Sequence, residues 1–181
     1  MLPTDEALLI AIANTGHEDA DELADADSVR AWWPADEVTT GPDQPRSVAR
    51  LRALRSLIRR LTWTNNGVHL DPDPAGDALL ATLSLRPEVT GSHVSLRPAR
   101  ATGLSDAITA AGLTALLRAA ARPGWPRVKA CHALDCGWVF QDASRNAARR
   151  WCDMRDCGNR AKGAAFRIRE RASRNVTQPG R

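Results

Sequence analysis

The first 130 residues of this 181-residue chain contain no cysteine, and no apolar stretch approaches the roughly 20 residues that a membrane-spanning helix needs. The apolar run from Leu8 to Ala13 is short and follows Asp5 and Glu6, where a secretory signal would carry basic residues. We therefore expect a cytoplasmic protein. The sequence also lacks a glycine-rich phosphate loop, a nucleophile elbow and a catalytic triad, so we expect no enzyme.

All four cysteines lie between residues 131 and 157, in two pairs with the same Cys-x4-Cys spacing. The pairs are Cys131 with Cys136, and Cys152 with Cys157. Each pair supplies two soft ligands from one tight turn, and four thiolates suit a tetrahedral structural zinc. Gly137 and Gly158 follow the pairs and permit the turn that a zinc knuckle needs. The spacing predicts one zinc per chain; two disulfides, or four thiols packed as small apolar side chains, are the alternatives.

Lysine is scarce, with 2 lysines against 23 arginines, and acidic residues are unevenly distributed. Residues 1–126 carry 12 arginines and 16 acidic residues, a balance of −4. Residues 127–174 carry 12 basic and 5 acidic residues, a balance of +7. A compositional preference for arginine explains why arginine replaces lysine. It does not explain why acidic residues are fewer in residues 127–174. A basic module joined to an acidic body predicts a polyanionic partner, with double-stranded DNA as the leading candidate.

Hydrophobic periodicity predicts a mainly α fold with a small β-hairpin element. Apolar residues recur at helical spacing over residues 46–62 and 102–121, and we expect the Leu51, Leu54 and Ile58 face of the first helix to pack on the second. A hairpin is expected within 83–97. We divide the chain into a helical domain (1–126), a four-cysteine zinc finger built from a β-hairpin and a helix (127–172) and a disordered tail (173–181). Cys152→Ala is then expected to unfold the finger and leave the helical domain folded.

Several local expectations follow from capping and patterning. The acidic stretch 18–27 is expected to form a helix around Leu23, and Ser28 to cap a short helix that carries Trp32 and Trp33. In the finger, Asp142 or Ser144 is expected to cap a second short helix, and Phe166 to point inward from the terminal helix. The arginines between 46 and 60 either pair with the acidic stretch or form a second anion-binding surface.

Around the second cysteine pair the chain resembles the CGNR zinc-finger family. The resemblance covers roughly residues 127–171, and its motifs are Ser144-Arg145-Asn146, Arg149-Arg150-Trp151-Cys152, Cys157-Gly158-Asn159-Arg160 and Lys162. In that family the finger follows a helical ABATE-type domain, which residues 1–122 resemble through Ala13-Asn14-Thr15, Leu51 to Arg55 and Leu113 to Leu117. Ala11-Ile12-Ala13 stands where the family commonly has an acidic and an aromatic residue. The resemblance implies a bacterial transcription regulator.

The leading functional interpretation is a DNA-binding regulator, in which the finger contacts phosphates and the helical domain dimerises, binds an effector, or does both. The expected nucleic-acid contacts are Arg145, Arg149, Arg150, Asn159, Arg160, Lys162 and Arg167. Asn159 has a competing role, because its amide can instead satisfy backbone groups of the knuckle. Two other functions remain open: an adaptor that grips an acidic protein, and a zinc-thiolate redox sensor.

Overall fold

A computed structural model describes residues 4–17, 21–33, 41–100, 103–133 and 135–176. Within these ranges the helices are α1 (Asp5–Ala13), α2 (Ala26–Trp32), α3 (Pro45–Thr64), α4 (Pro74–Leu80), α5 (Leu104–Ala120) and α6 (Asn159–Val176). The strands are β1 (Leu85–Thr90), β2 (His93–Pro98), β3 (Val128–Ala130) and β4 (Val139–Gln141). They form two antiparallel hairpins, β1–β2 and β3–β4. The predicted fold class is confirmed, and no described helix is both long and apolar enough to cross a membrane.

The core is built on α3 and α5. Leu51, Leu54 and Ile58 of α3 are fully buried, as their three- and four-residue spacing predicts. At the crossing of the two helices, a Cβ added to Gly112 of α5 would lie 2.6 Å from Cδ2 of Leu54. Only a residue without a side chain permits so close an approach, so the predicted packing of these two helices is confirmed.

The acidic stretch differs from expectation. Residues 21–25 form turns, Leu23 is fully buried in them, and residues 18–20 lie outside the described ranges. The expected cap at Ser28 is wrong: the N-cap of α2 is Asp25, whose carboxylate accepts a hydrogen bond from the backbone N–H of Ser28. Asp25 takes this role because its carboxylate accepts hydrogen bonds from the free N–H groups of the first turn. The partial positive charge at the helix N-terminus also stabilises the negative carboxylate.

The arginines of α3 are largely engaged within the protein. Arg55 pairs with Asp21 at 2.6 Å, which confirms the expected contact with the acidic stretch. Arg50 pairs with Asp106 of α5 at 2.8 Å, and Arg60 pairs with Asp77 of α4 at 2.5 Å. Arg59 donates to the carbonyls of Ala13 and Thr15 at 2.7 and 2.8 Å, at the C-terminal end of α1. These contacts engage four of the six arginines between residues 46 and 60, while Arg46 and Arg52 are exposed.

The β3–β4 hairpin packs on the helical part of the chain. Val128, Ala130 and Val139 are fully buried and belong to the same hydrophobic cluster as residues of α1, α3 and α5. Residue 126 therefore marks a boundary in charge and motif, while the buried core continues across it. The division into separate domains remains a prediction.

Two expectations for the finger are wrong. Residues 144–150 form a turn and extended backbone, with Ala147 at a φ of 49°, where a short helix was expected. Phe166 is 59% exposed, because α6 packs on the turn that precedes it and contacts the rest of the described chain sparsely. The helix α6 runs to Val176, so it includes the first residues of the expected disordered tail, and residues 177–181 lie outside the described ranges.

Candidate metal centre

Two turns bring the four cysteines together. Cys131 directly follows β3, and the knuckle closes where the backbone N–H groups of Cys136 and Gly137 donate to the carbonyl of Ala133 at 3.0 and 3.1 Å. Gly137 has a φ of 64°, the left-handed conformation that the sequence predicted at this position. The second knuckle is a π-helical turn, Met154–Gly158, which runs directly into α6.

The sulfur atoms fit a tetrahedral metal. All four Sγ atoms lie within 4.8 Å of one another. Cys152 Sγ lies 3.6 Å from that of Cys136 and 3.7 Å from that of Cys157. A zinc–sulfur bond of about 2.3 Å with tetrahedral angles separates the sulfurs by roughly 3.8 Å, whereas a disulfide requires about 2.05 Å. All four cysteines are free, so the disulfide alternative is not what the chain forms, and the four sulfurs are placed to bind one zinc ion.

Without a bound cation, burial favours the protonated form of two of these thiols. Burial raises the pKa of Cys136 to about 11, and burial together with the neighbouring thiols raises the pKa of Cys152 further. Burial also acts on Cys131, but hydrogen bonds from the backbone of Cys152 and Ala133 outweigh it and lower the pKa of that thiol. Four thiolates at this separation repel one another, so a divalent cation must replace the protons as they leave.

Polar groups around the sulfurs support the thiolate form. The guanidinium of Arg160 donates to Cys157 Sγ at 3.2 Å and also pairs with Asp135 at 2.8 Å and Asp156 at 3.1 Å. Nε2 of His17 lies 3.7 Å from Cys136 Sγ. Donors to metal-bound sulfur orient the ligand and offset its charge, so Arg160 would act on a bound zinc through Cys157, and His17 would do so through Cys136 in the tautomer that places a proton on Nε2.

Residues of the helical part of the chain hold the finger in place. Trp63 Nε1 donates to the carbonyl of Cys131 at 2.9 Å. The Asn14 side chain exchanges two hydrogen bonds with the backbone of Val139, at 2.7 and 2.9 Å. Asn65 donates to the carbonyls of Trp125 and Val128, and Asn66 donates to those of Ala130 and Arg150. The finger backbone is therefore fixed by four side chains from α3, the turn after it and the end of α1.

Only indirect sequence signals pointed to these bracing residues. Asn65 and Asn66 stand out as a turn signal before Gly67, and Asn14 belongs to the motif that resembles the ABATE-type domain. Neither pattern indicates that the amides bond to backbone at least 60 residues away along the chain.

A buried ion pair organises the loop between the knuckles. Lys129 of β3 and Asp142 after β4 are both buried and lie 2.8 Å apart. Asp142 also accepts from the Ser144 hydroxyl and from the backbone N–H groups of Ser144 and Arg149. Burial opposes ionisation of Asp142, but Lys129 and these hydrogen bonds outweigh it and lower its pKa. Asp142 thus caps a loop, where the sequence predicted that Asp142 or Ser144 would cap a helix.

The seven predicted nucleic-acid contacts lie on the finger and α6, and they divide into two groups. Four are engaged within the finger. Arg149 donates to the carbonyls of Trp151 and Cys152 and lies 4.9 Å from the Phe140 ring centroid. Arg150 contacts His132, and Arg160 contacts Cys157, Asp135 and Asp156. Asn159 Nδ2 donates to the carbonyl of Arg155 at 3.0 Å. The bracing role considered for Asn159 is therefore the one that its geometry supports.

The remaining three cations are available. Among the described residues, none forms a hydrogen bond or ion pair with the side chains of Arg145, Lys162 and Arg167. Arg160 and Arg167 line a groove of about 350 Å³ between the first knuckle and α6, together with His132 and Trp151. Asp135 also lines the groove and pairs with Arg160, so Arg167 is the cation of this groove that has no ion-pair partner among the described residues.

Comparison with known proteins agrees with this geometry. No curated protein matches the chain. Residues 127–170 match the family model described as the CGNR zinc finger, and the match does not extend to the helical residues before them. With the sulfur geometry, this identifies the C-terminal segment as a zinc finger of the CGNR type, whose four cysteines are placed to bind one zinc ion.

Proposed function

We propose that this protein is a cytoplasmic DNA-binding transcription regulator, without enzymatic activity, whose zinc finger and α6 contact duplex DNA. The observation that carries the proposal is the unpaired set Arg145, Lys162 and Arg167 on the finger and α6, within the part of the chain that the structure describes. The segment that holds them has a charge balance of +7, against −4 in the rest of the chain to residue 126. Such an asymmetry draws a polyanion to the finger.

The shape of α6 supports the same partner. It spans 18 residues, about 27 Å at 1.5 Å per residue, and it is exposed over most of its described side chains. The major groove of B-DNA is wide enough to admit an α-helix. A zinc bound through Cys157 would fix the start of the helix, and Lys162 and Arg167 would then extend from a rigid base. A zinc with four thiolate ligands keeps no position for water, which favours a structural role over hydrolytic chemistry.

The engaged residues and the available cations have different roles in this proposal. Arg149 and Asn159 brace the finger, and their replacement should disturb the knuckle. Lys162 and Arg167 should contact phosphates, because phosphate is the commoner partner of basic side chains at such interfaces. The helical part of the chain is proposed to dimerise or bind an effector.

The test is to replace both available α6 cations. Lys162→Ala/Arg167→Ala should weaken binding to every duplex and reduce the slope of log affinity against log salt by roughly 2, since each phosphate contact contributes about −0.9. The matched control is Arg46→Ala/Arg86→Ala, which removes the same charge from exposed positions on α3 and β1. Zinc content should remain one per chain in both. Equal affinity of the first variant and the parent at every salt concentration would remove α6 from the interface.

A protein-binding adaptor is the second candidate, and one observation favours it. Phe166 and Ile168 on α6 are 59% and 68% exposed, so these two large apolar side chains are accessible to a protein partner. Binding of the parent protein to a pool of genomic duplex fragments, followed by sequencing, separates the two functions. Enrichment of particular fragments supports the regulator, while salt-sensitive retention without enrichment leaves nonspecific DNA binding or the adaptor.

A further inference from the structure

The outer side of α6 carries an apolar side chain between two cations. Lys162 and Phe166 lie four residues apart and are therefore neighbours on one face of the helix. At 3.6 residues per turn, Phe166 and Gly163 both fall within the arc of the helix surface that Lys162 and Arg167 bound. Lys162 and Arg167 are exposed, and Phe166 is 59% exposed. The arc between the two side chains proposed to contact phosphates therefore presents an aromatic ring.

Gly163 leaves space beside the Phe166 ring. Apart from the adjacent residues and the helix backbone, a Cβ placed on Gly163 would meet only Nη1 of Arg167 among the described residues, at 3.4 Å. Because residues three apart are neighbours on a helix, this position without a side chain lies next to the ring. The edge of a base can therefore approach α6 closely at this point and contact Phe166.

The charge of α6 favours DNA as the partner of this surface. Between residues 159 and 176 the sequence has six basic residues and one acidic residue, Glu170. A second copy of the chain would bring the same positive charge to the contact, whereas duplex DNA brings phosphates along both edges of its major groove. With Lys162 and Arg167 at phosphates, Phe166 lies toward the bases. The apolar group that the bases present in this groove is the 5-methyl group of thymine.

We propose that Phe166 is a specificity-determining residue of this protein and contacts thymine methyl groups in the major groove. Lys162 and Arg167 supply charge, which does not distinguish one sequence from another, and Phe166 supplies an apolar contact that does. The inference deepens the proposed DNA-binding function and rests on it. Ile168 is the other large apolar side chain exposed on the described part of α6. It lies about 200° around the helix from Phe166 and takes no part in the contact.

The test compares two forms of one duplex, the fragment that the zinc-loaded, full-length protein enriches most from the genomic pool. One form contains thymine, and the other contains uracil, which lacks the 5-methyl group and keeps the charge and the base pairing. The parent should bind the uracil form about fourfold more weakly for each methyl group contacted, since burial of one CH₂ group contributes about that factor. Phe166→Ala should bind the thymine form at least about fourfold more weakly than the parent and should not distinguish the two forms. Its salt dependence should equal that of the parent, because no charge is removed.

Two further variants separate contact with the base from a change in the helix. Ile168→Ala removes a similarly exposed apolar side chain from the other side of α6 and should keep the parent's preference for thymine. Phe166→Leu retains an apolar side chain and should keep part of that preference. Equal binding of both forms by the parent, or a preference that persists in Phe166→Ala, would overturn the inference. Loss of the preference in Ile168→Ala would overturn the assigned face.

The pool experiment also separates this inference from the function on which it rests. Binding without enrichment of any fragment would overturn base contact by Phe166 and leave the phosphate contacts of Lys162 and Arg167 in place. Absence of binding to every duplex at low salt would instead remove the proposed function, and this inference with it.

Discussion

Zinc removal should destabilise the whole described fold and not the finger alone. The perturbation is Cys152→Ala, which removes one of four ligands, or chelation of the parent protein. The β3–β4 hairpin carries Cys131 at its end and contributes Val128, Ala130 and Val139 to the core shared with α1, α3 and α5. If the loss of zinc releases this hairpin, the helices lose part of their own core.

The free energy that these contacts contribute is comparable with the free energy of unfolding of a typical domain. Burial of the two valines contributes about 3–6 kcal/mol at about 1.5–3 kcal/mol each. Seven side-chain hydrogen bonds join Asn14, Trp63, Asn65 and Asn66 to the finger backbone and the turn before it. At about 0.5–1.5 kcal/mol each they contribute roughly 4–10 kcal/mol. Both figures are upper bounds, because the denatured state already buries some surface and neighbouring bonds are not additive. A typical domain has about 5–15 kcal/mol in total.

The assay is unfolding of the parent and Cys152→Ala by urea, followed at two places. Far-ultraviolet circular dichroism reports mainly the helices, and hydrogen exchange reports Leu54 and Ile58 in the centre of α3. We expect a single transition in the parent and, in the variant, loss of slow exchange at α3 as well as in the finger. Ser56→Ala, at an exposed position of α3, is the control for α3 itself and should leave both signals unchanged. A metal-free variant in which α3 keeps its protection and helical signal would refute the shared core as an energetic unit. It would also confirm the independent finger expected from sequence.

The remaining predictions concern single side chains. Leu54→Ala, at a fully buried position, should lower the free energy of unfolding by about 2–5 kcal/mol in urea, and a loss below about 1 kcal/mol would contradict the packing against α5. Asn14→Ala should cost about 2–4 kcal/mol, since it leaves both backbone groups of Val139 without their partner, and it should weaken zinc retention against a competing chelator. Asp142 has a lowered pKa, so its contribution to stability is present above about pH 4 and is lost as the pH falls toward its folded pKa. Asp142→Asn should therefore flatten the acid limb of the stability–pH profile, and an unchanged limb would count against the ion pair with Lys129.

The parts of the fold that could be predicted are those determined by residues close together in the sequence. The periodic apolar positions of α3 and α5 determined two helices and their buried faces, because a 3.6-residue period places those side chains on one side. The cysteine spacing determined the metal ligands, since two residues five apart in a tight turn must lie close together wherever the turn is placed. The acidic stretch and the arginines of α3 were recognised by charge, and Arg55 does meet Asp21.

Local patterns failed where tertiary contacts compete. Asp142 has the residue type of a helix cap, but Lys129 and the N–H of Arg149 hold it in a loop. Phe166 has the hydrophobicity of a core residue, but no described element covers that side of α6. Whether a residue is buried depends on what packs against it, and a helical pattern alone does not contain that information.

The sequence by itself determined a mainly helical chain with one four-cysteine zinc site and a basic C-terminal segment. These properties depend on composition and on spacings of a few residues, and neither changes with the way in which the rest of the chain packs. Only the tertiary structure decided which cations are available and which brace the finger. It also decided that Asn14 reaches Val139, 125 residues further along the chain. Contacts of that range arise when separate elements pack together, so they depend on the relative position of whole helices and not on any local pattern.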